Sequence, residues 1–102
     1  LESLGIAADL KSKTILTSGA DEATASVAEG KVELVLTLIS EILPARGVDL
    51  LGPFPAKFQN DVNFAAGVSA NTRNAESARA LTKFLTRPAL APIFKSKGMD
   101  PN

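Results

Sequence analysis

The side chains of this sequence that can do chemistry are Ser, Thr, Asp, Glu, Lys and Arg, because it contains no His, Cys, Tyr or Trp. That excludes disulfide bracing, zinc sites of the Cys/His kind, and His-based acid–base or triad catalysis within the chain. Among the remaining groups no nucleophile stands at a recognisable spacing from a base. The carboxylates are scattered rather than paired, so no enzymatic site is expected. Glycine-rich phosphate fingerprints are also absent. Ser18-Gly19-Ala20 offers one glycine, not a set, and no cofactor is expected.

Two short segments still have the right residue types to hold a ligand. Ser18, Gly19, Ala20 and Asp21 lie between an expected strand and an expected helix. At such a junction in an open α/β sheet, free N–H groups and the helix dipole point into the crevice. An anion there would be held by the backbone donors of Gly19, Ala20 and Asp21 and by the Ser18 hydroxyl. The alternative is a helix start satisfied by its own cap and by water. Ser18 with Asp21 three residues on reads as a weak capping-box variant, and Asp21 and Glu22 already occupy the positive end. The second segment is Thr37–Ser40. Thr37 is polar inside an apolar run and must find a partner, either a ligand or nearby backbone. Ser40-Glu41 is a common local pattern that serves turns and caps.

The elements that must position these residues read as follows. Leu1–Leu10 has a helical apolar face, weakened by Gly5. Lys13–Thr17 is a short β-branched strand. A helix runs from about Asp21 to Glu29, buries Ala23 and Val27, and ends at Gly30. Val32–Ile39 is the most apolar run and is nearly continuous, which fits a strand buried on both faces of a parallel sheet. Ser40–Gly47 connects it to a strand at Val48–Leu51, closed by Gly52-Pro53-Phe54-Pro55. Pro53–Gln59 reads as a hinge or crossover, or equally as an ordinary proline-rich surface turn. Phe64–Ala70 is a strand of small residues. Ala75–Thr86 is a helix with Ala78, Leu81 and Leu85 on one face, and a last helix covers Ala89–Lys97. The order points to an α/β fold with a mostly parallel sheet flanked by helices.

Composition limits the rest. A chain of 102 residues supports one compact domain. It is 45% apolar and 22% charged, ordinary for a folded chain and too apolar for disorder. Lys plus Arg and Asp plus Glu number 11 each, so the formal net charge is zero. This removes the general electrostatic case for nucleic acid or anionic membrane as a partner. No apolar run approaches the ~18 residues a membrane span needs. No basic leader with an apolar stretch opens the sequence, so no signal peptide is expected within it. Phe54, Phe58 and Phe64 read as core or rim rather than as a stacking set for RNA.

Set side by side, several pieces resemble the C-terminal part of a type II periplasmic solute-binding protein of an ABC importer, of the molybdate-binding-like family. They are Leu4-Gly5-Ile6, Val27-Ala28-Glu29-Gly30-Lys31-Val32-Glu33-Leu34, Ser40-Glu41-Ile42-Leu43-Pro44, Gly47–Pro55, Phe64-Ala65-Ala66-Gly67-Val68 and Lys97-Gly98-Met99-Asp100-Pro101. The resemblance implies a partial type II binding-protein fold. Residues 1–51 would be the latter part of the second lobe, 52–59 the hinge or crossover, and 60–102 the closing strand and helices of the first lobe. It implies a periplasmic protein that captures a small ligand, an oxyanion by preference, between two lobes and delivers it to an ABC permease. Its second-lobe contacts fall near Ala20 and near Leu38. Where those molybdate binders often carry a Tyr hydroxyl, this chain has Leu38, which donates nothing. Either the ligand differs, or Thr37 or Ser40 supplies the donor, or nothing of that kind binds. The alternative family of the same fold is the effector-binding domain of a LysR-type transcription regulator. With the first lobe incomplete, exposed apolar area and an open sheet edge predict a homodimer, formed by a swap across Gly52–Gln59.

Overall fold

Gly5 settles the shape of the first element. Its backbone is left-handed (φ 70°), so the expected helix over Leu1–Leu10 divides into a 3-10 turn, Glu2–Leu4, and helix α1, Ala7–Lys11. The computed structural model describes residues 1–101. Four further α-helices follow: α2 (Ala20–Ala28), α3 (Ile39–Ile42), α4 (Ala75–Leu85) and α5 (Ala91–Ser96), the last preceded by a 3-10 turn at Pro88–Leu90. Gly19 is extended at the N-cap of α2, and Asp21 and Glu22 fill its first turn, where the helix dipole favours acids.

The ends of α2 and α5 are built alike. After α2, Gly30 N–H donates to the Val27 carbonyl (2.9 Å) and Lys31 N–H to that of Ser26 (2.9 Å). After α5, Gly98 N–H donates to Lys95 (3.0 Å) and Met99 N–H to Phe94 (3.0 Å). Both are Schellman stops, and both need the left-handed glycine found there, with φ 72° at Gly30 and 76° at Gly98. The closest helix packing joins α2 to α3 and α5 to the turn before it.

The expected parallel sheet does not form. Lys13–Thr17, Val32–Leu38, Val48–Leu51 and Phe64–Ala70 are non-helical, but among the described residues no backbone hydrogen bond joins any two of them and no strand is present. The partial type II sheet implied by the resemblance is absent for the same reason. The chain among residues 1–101 is helical with irregular connections. A parallel strand needs a neighbour about 4.8 Å away and a helical layer on each face. Here residues 59–71 are all exposed and Leu16 is 92% exposed, while Val32, Val35 and Val48 are only half-buried, so none of these segments is covered on both faces. An apolar run shows a demand for burial; it does not supply the surface that meets it. The C-terminal end of the Val32–Ile39 run also differs from expectation, since Ile39 opens α3 instead of ending a strand.

Burial is correspondingly slight. Among the described residues no apolar side chain is buried, and the one buried polar residue is Thr24, at 6% exposure. The accessible surface is 8877 Å², against about 5,500 Å² for a compact chain of this mass. The radius of gyration is 17.7 Å where about 13 Å would be compact.

Candidate functional site

The two segments that could hold a ligand are both helix starts, and they are made the same way. In α2 the N-cap is Gly19, the preceding residue is Ser18, and the third helical residue is Glu22. Glu22 Oε2 accepts from the Ser18 backbone N–H (3.1 Å) and from Ser18 Oγ (2.9 Å). In α3 the N-cap is Leu38, the preceding residue is Thr37, and the third helical residue is Glu41. Glu41 Oε2 accepts from Thr37 Oγ1 and from the Leu38 backbone N–H (3.4 Å). Leu38 has no side-chain acceptor, so only the carboxylate half of the usual reciprocal cap can form. The sequence carries this device twice, as Ser18-x-x-x-Glu22 and Thr37-x-x-x-Glu41.

These bonds change the expected donor set. The capping carboxylate at α2 is Glu22, not Asp21. Of the hydroxyls that an anion could use, those of Ser18 and Thr37 are already given to carboxylates of the same chain. The Ser18 N–H, and then its hydroxyl, hold the Glu22 carboxyl below its ordinary value. What α2 still offers is the first-turn backbone N–H groups of Ala20 and Asp21, which no helix satisfies internally.

Asp21 faces a cleft of about 250 Å³ between α2 and α3, lined also by Thr24, Ala25, Glu41, Pro44, Ala45 and Arg46. Thr24 Oγ1 donates back to the Ala20 carbonyl (2.9 Å), so its hydroxyl is satisfied by its own helix, and Thr24 is the buried residue of α2. Two carboxylates and one guanidinium share this cleft, an arrangement suited to a ligand carrying charge or donors of both kinds. Of the expected site residues, Asp21 alone lines it. Ser18, Gly19 and Ala20 stand beside it at the N-terminal side of α2. Ser40 lines a different cleft, with Leu43, Pro44, Ser96 and Lys97. Thr37 and Leu38 line neither. Sequence reasoning missed Arg46 and Lys97. Arg46 lies in a segment expected to be a plain connection, and Lys97 at the end of the last expected helix.

Among the described residues no three metal-ligating side chains come together, and no helix is long and apolar enough to cross a membrane.

Residues 1–100 match the family of bacterial extracellular solute-binding proteins, and the chain belongs to that family. Among individual proteins it is similar to an aconitate isomerase from a Pseudomonas species, with 27% identity over 82 residues. That match takes in 80% of this chain and 31% of the relative, so the chain spans about a third of the relative's length. No solved structure matches it.

Proposed function

We propose that this chain is part of the solute-binding component of an ABC importer, located in the periplasm. In the whole protein it captures a small solute with anionic oxygens, a carboxylate or an inorganic oxyanion, and passes it to a membrane permease. The observation that carries this is the match of residues 1–100 to the solute-binding family. Two things support an anionic solute: the unsatisfied first-turn N–H groups of Ala20 and Asp21, and a relative named for isomerising aconitate, a tricarboxylate. Molybdate is one candidate in the same chemical class.

The chain binds and does not transform. No His is present to shuttle a proton near neutral pH, and the two carboxylate–hydroxyl bonds, Glu22 with Ser18 and Glu41 with Thr37, are helix caps. The test is a thermal-shift screen of the full-length protein with molybdate, tungstate, sulfate, citrate and aconitate. At least one of these is expected to raise the melting temperature in proportion to the logarithm of its concentration. A screen in which none does, while a cationic or neutral solute does, contradicts the anionic assignment.

By itself the chain is expected to self-associate, because its exposed surface is far above that of a compact monomer. Light scattering should give the mass of a dimer, and a monodisperse monomer would contradict this.

A further inference from the structure

The second cleft joins parts of the chain that are distant in sequence. Ser40 of α3 and the two residues after its end, Leu43 and Pro44, form one wall, Ser96 and Lys97 the other, around about 230 Å³. What holds the walls together is Gly98. A Cβ at this position would stand 2.5 Å from Ile39 Cγ2 and 3.0 Å from both the Ile39 carbonyl carbon and the Ser40 nitrogen. Two of those three atoms are backbone and cannot swing aside. The close approach of the α5 end to the α3 start is therefore available to glycine alone, and the Schellman stop fixes its direction.

The cleft differs from the first in charge. No carboxylate lines it. The ion pairs among the described residues are Lys31–Glu29 and Lys95–Asp100, so the Lys97 ammonium is not committed to a carboxylate. Ser96 Oγ donates to the Ile93 carbonyl (2.7 Å) and is spent. The donors left are the Lys97 ammonium, with three N–H bonds, and the Ser40 hydroxyl. A volume of this size admits an ion or one small polar group rather than a large apolar ligand.

We propose that the α3–α5 cleft receives the anionic group of the solute, a carboxylate or a tetrahedral oxyanion, between Lys97 Nζ and the Ser40 hydroxyl. This rests on the solute-capture reading and adds a contact for the solute's anionic oxygens beyond the first-turn N–H groups of Ala20 and Asp21.

The test is titration calorimetry of the full chain with sulfate, molybdate and citrate in turn, on the unaltered chain and on Lys97→Met, Ser40→Ala and Lys95→Met. Lys95 lies outside the cleft and carries the same charge, so Lys95→Met controls for net charge. At least one anion is expected to bind. Lys97→Met should weaken it by about tenfold or more, the loss of a charge-assisted bond, and Ser40→Ala by about fivefold, while Lys95→Met leaves it unchanged. Tightest binding of citrate would mark an organic acid as the solute, and of sulfate or molybdate an inorganic one. Absence of binding by all three anions, or equal losses in Lys97→Met and Lys95→Met, overturns the proposal. A solute found by thermal shift whose affinity ignores Lys97 would leave solute capture standing and remove this cleft from it.

Discussion

Helices α2 and α4 make an instructive pair. α4 is the longer and the more strongly amphipathic, with Leu81, Phe84 and Leu85 on or beside one face, yet these are 57%, 46% and 42% exposed. α2 has a weaker apolar face but packs on α3, and it holds the one residue that is buried among those described, Thr24. An amphipathic stripe records what a helix must bury; whether it is buried depends on what lies opposite. For α2 the opposing surface is α3, the next helix in the chain. For α4 no element among the described residues packs as closely, and Ala75, Ala78 and Thr82 are only half-buried.

The sharpest way to break this contrast is a charge at the α2–α3 contact. Thr24→Lys should cost about 3 kcal/mol and expose α2 amides, read by hydrogen exchange. An unchanged exchange pattern would mean the contact does not form. Next is Gly98→Ala, which meets both a left-handed backbone and the Ile39 main chain. About 2 kcal/mol is expected, seen as loss of α5 protection with α2 unaffected. Third is the α2 cap. Because the Glu22 carboxyl is held below its ordinary value, its stabilisation of α2 is complete above the usual carboxylate range and is lost as the pH falls through the lowered value. Helix content followed by circular dichroism should fall on acidification, and Glu22→Gln should remove that part of the pH dependence. The smallest effect belongs to α4. Leu81→Ser should change stability by no more than about 0.5 kcal/mol, because that side chain touches water already. A large loss would show that α4 is covered after all.

Much of the helical structure was legible. The helix expected at about Asp21–Glu29 is α2, the one expected at Ala75–Thr86 is α4, and the glycine stop expected at Gly30 is where the chain turns left-handed. These depend on near neighbours, which a sequence states directly. The sheet was not legible, because a ladder needs partners that local pattern does not name; Val32–Leu38 is as apolar as a buried strand and forms no ladder. Helix α3 was missed since its single turn lies across the end of that run. Its signal was present in Thr37 and Glu41, which repeat the Ser18 and Glu22 spacing. The candidate site was legible in part. Asp21 and Ser40 line clefts, but Arg46 and Lys97 enter them through folding that no local motif marks.

The proposal that the whole protein binds its solute without altering it is tested most directly by saturation-transfer NMR on the full-length protein mixed with citrate, the aconitate isomers and other small organic acids. Transfer to one acid, with every acid's resonances unchanged in intensity over hours, is the predicted result. The interconversion of aconitate isomers at a protein-dependent rate would contradict it.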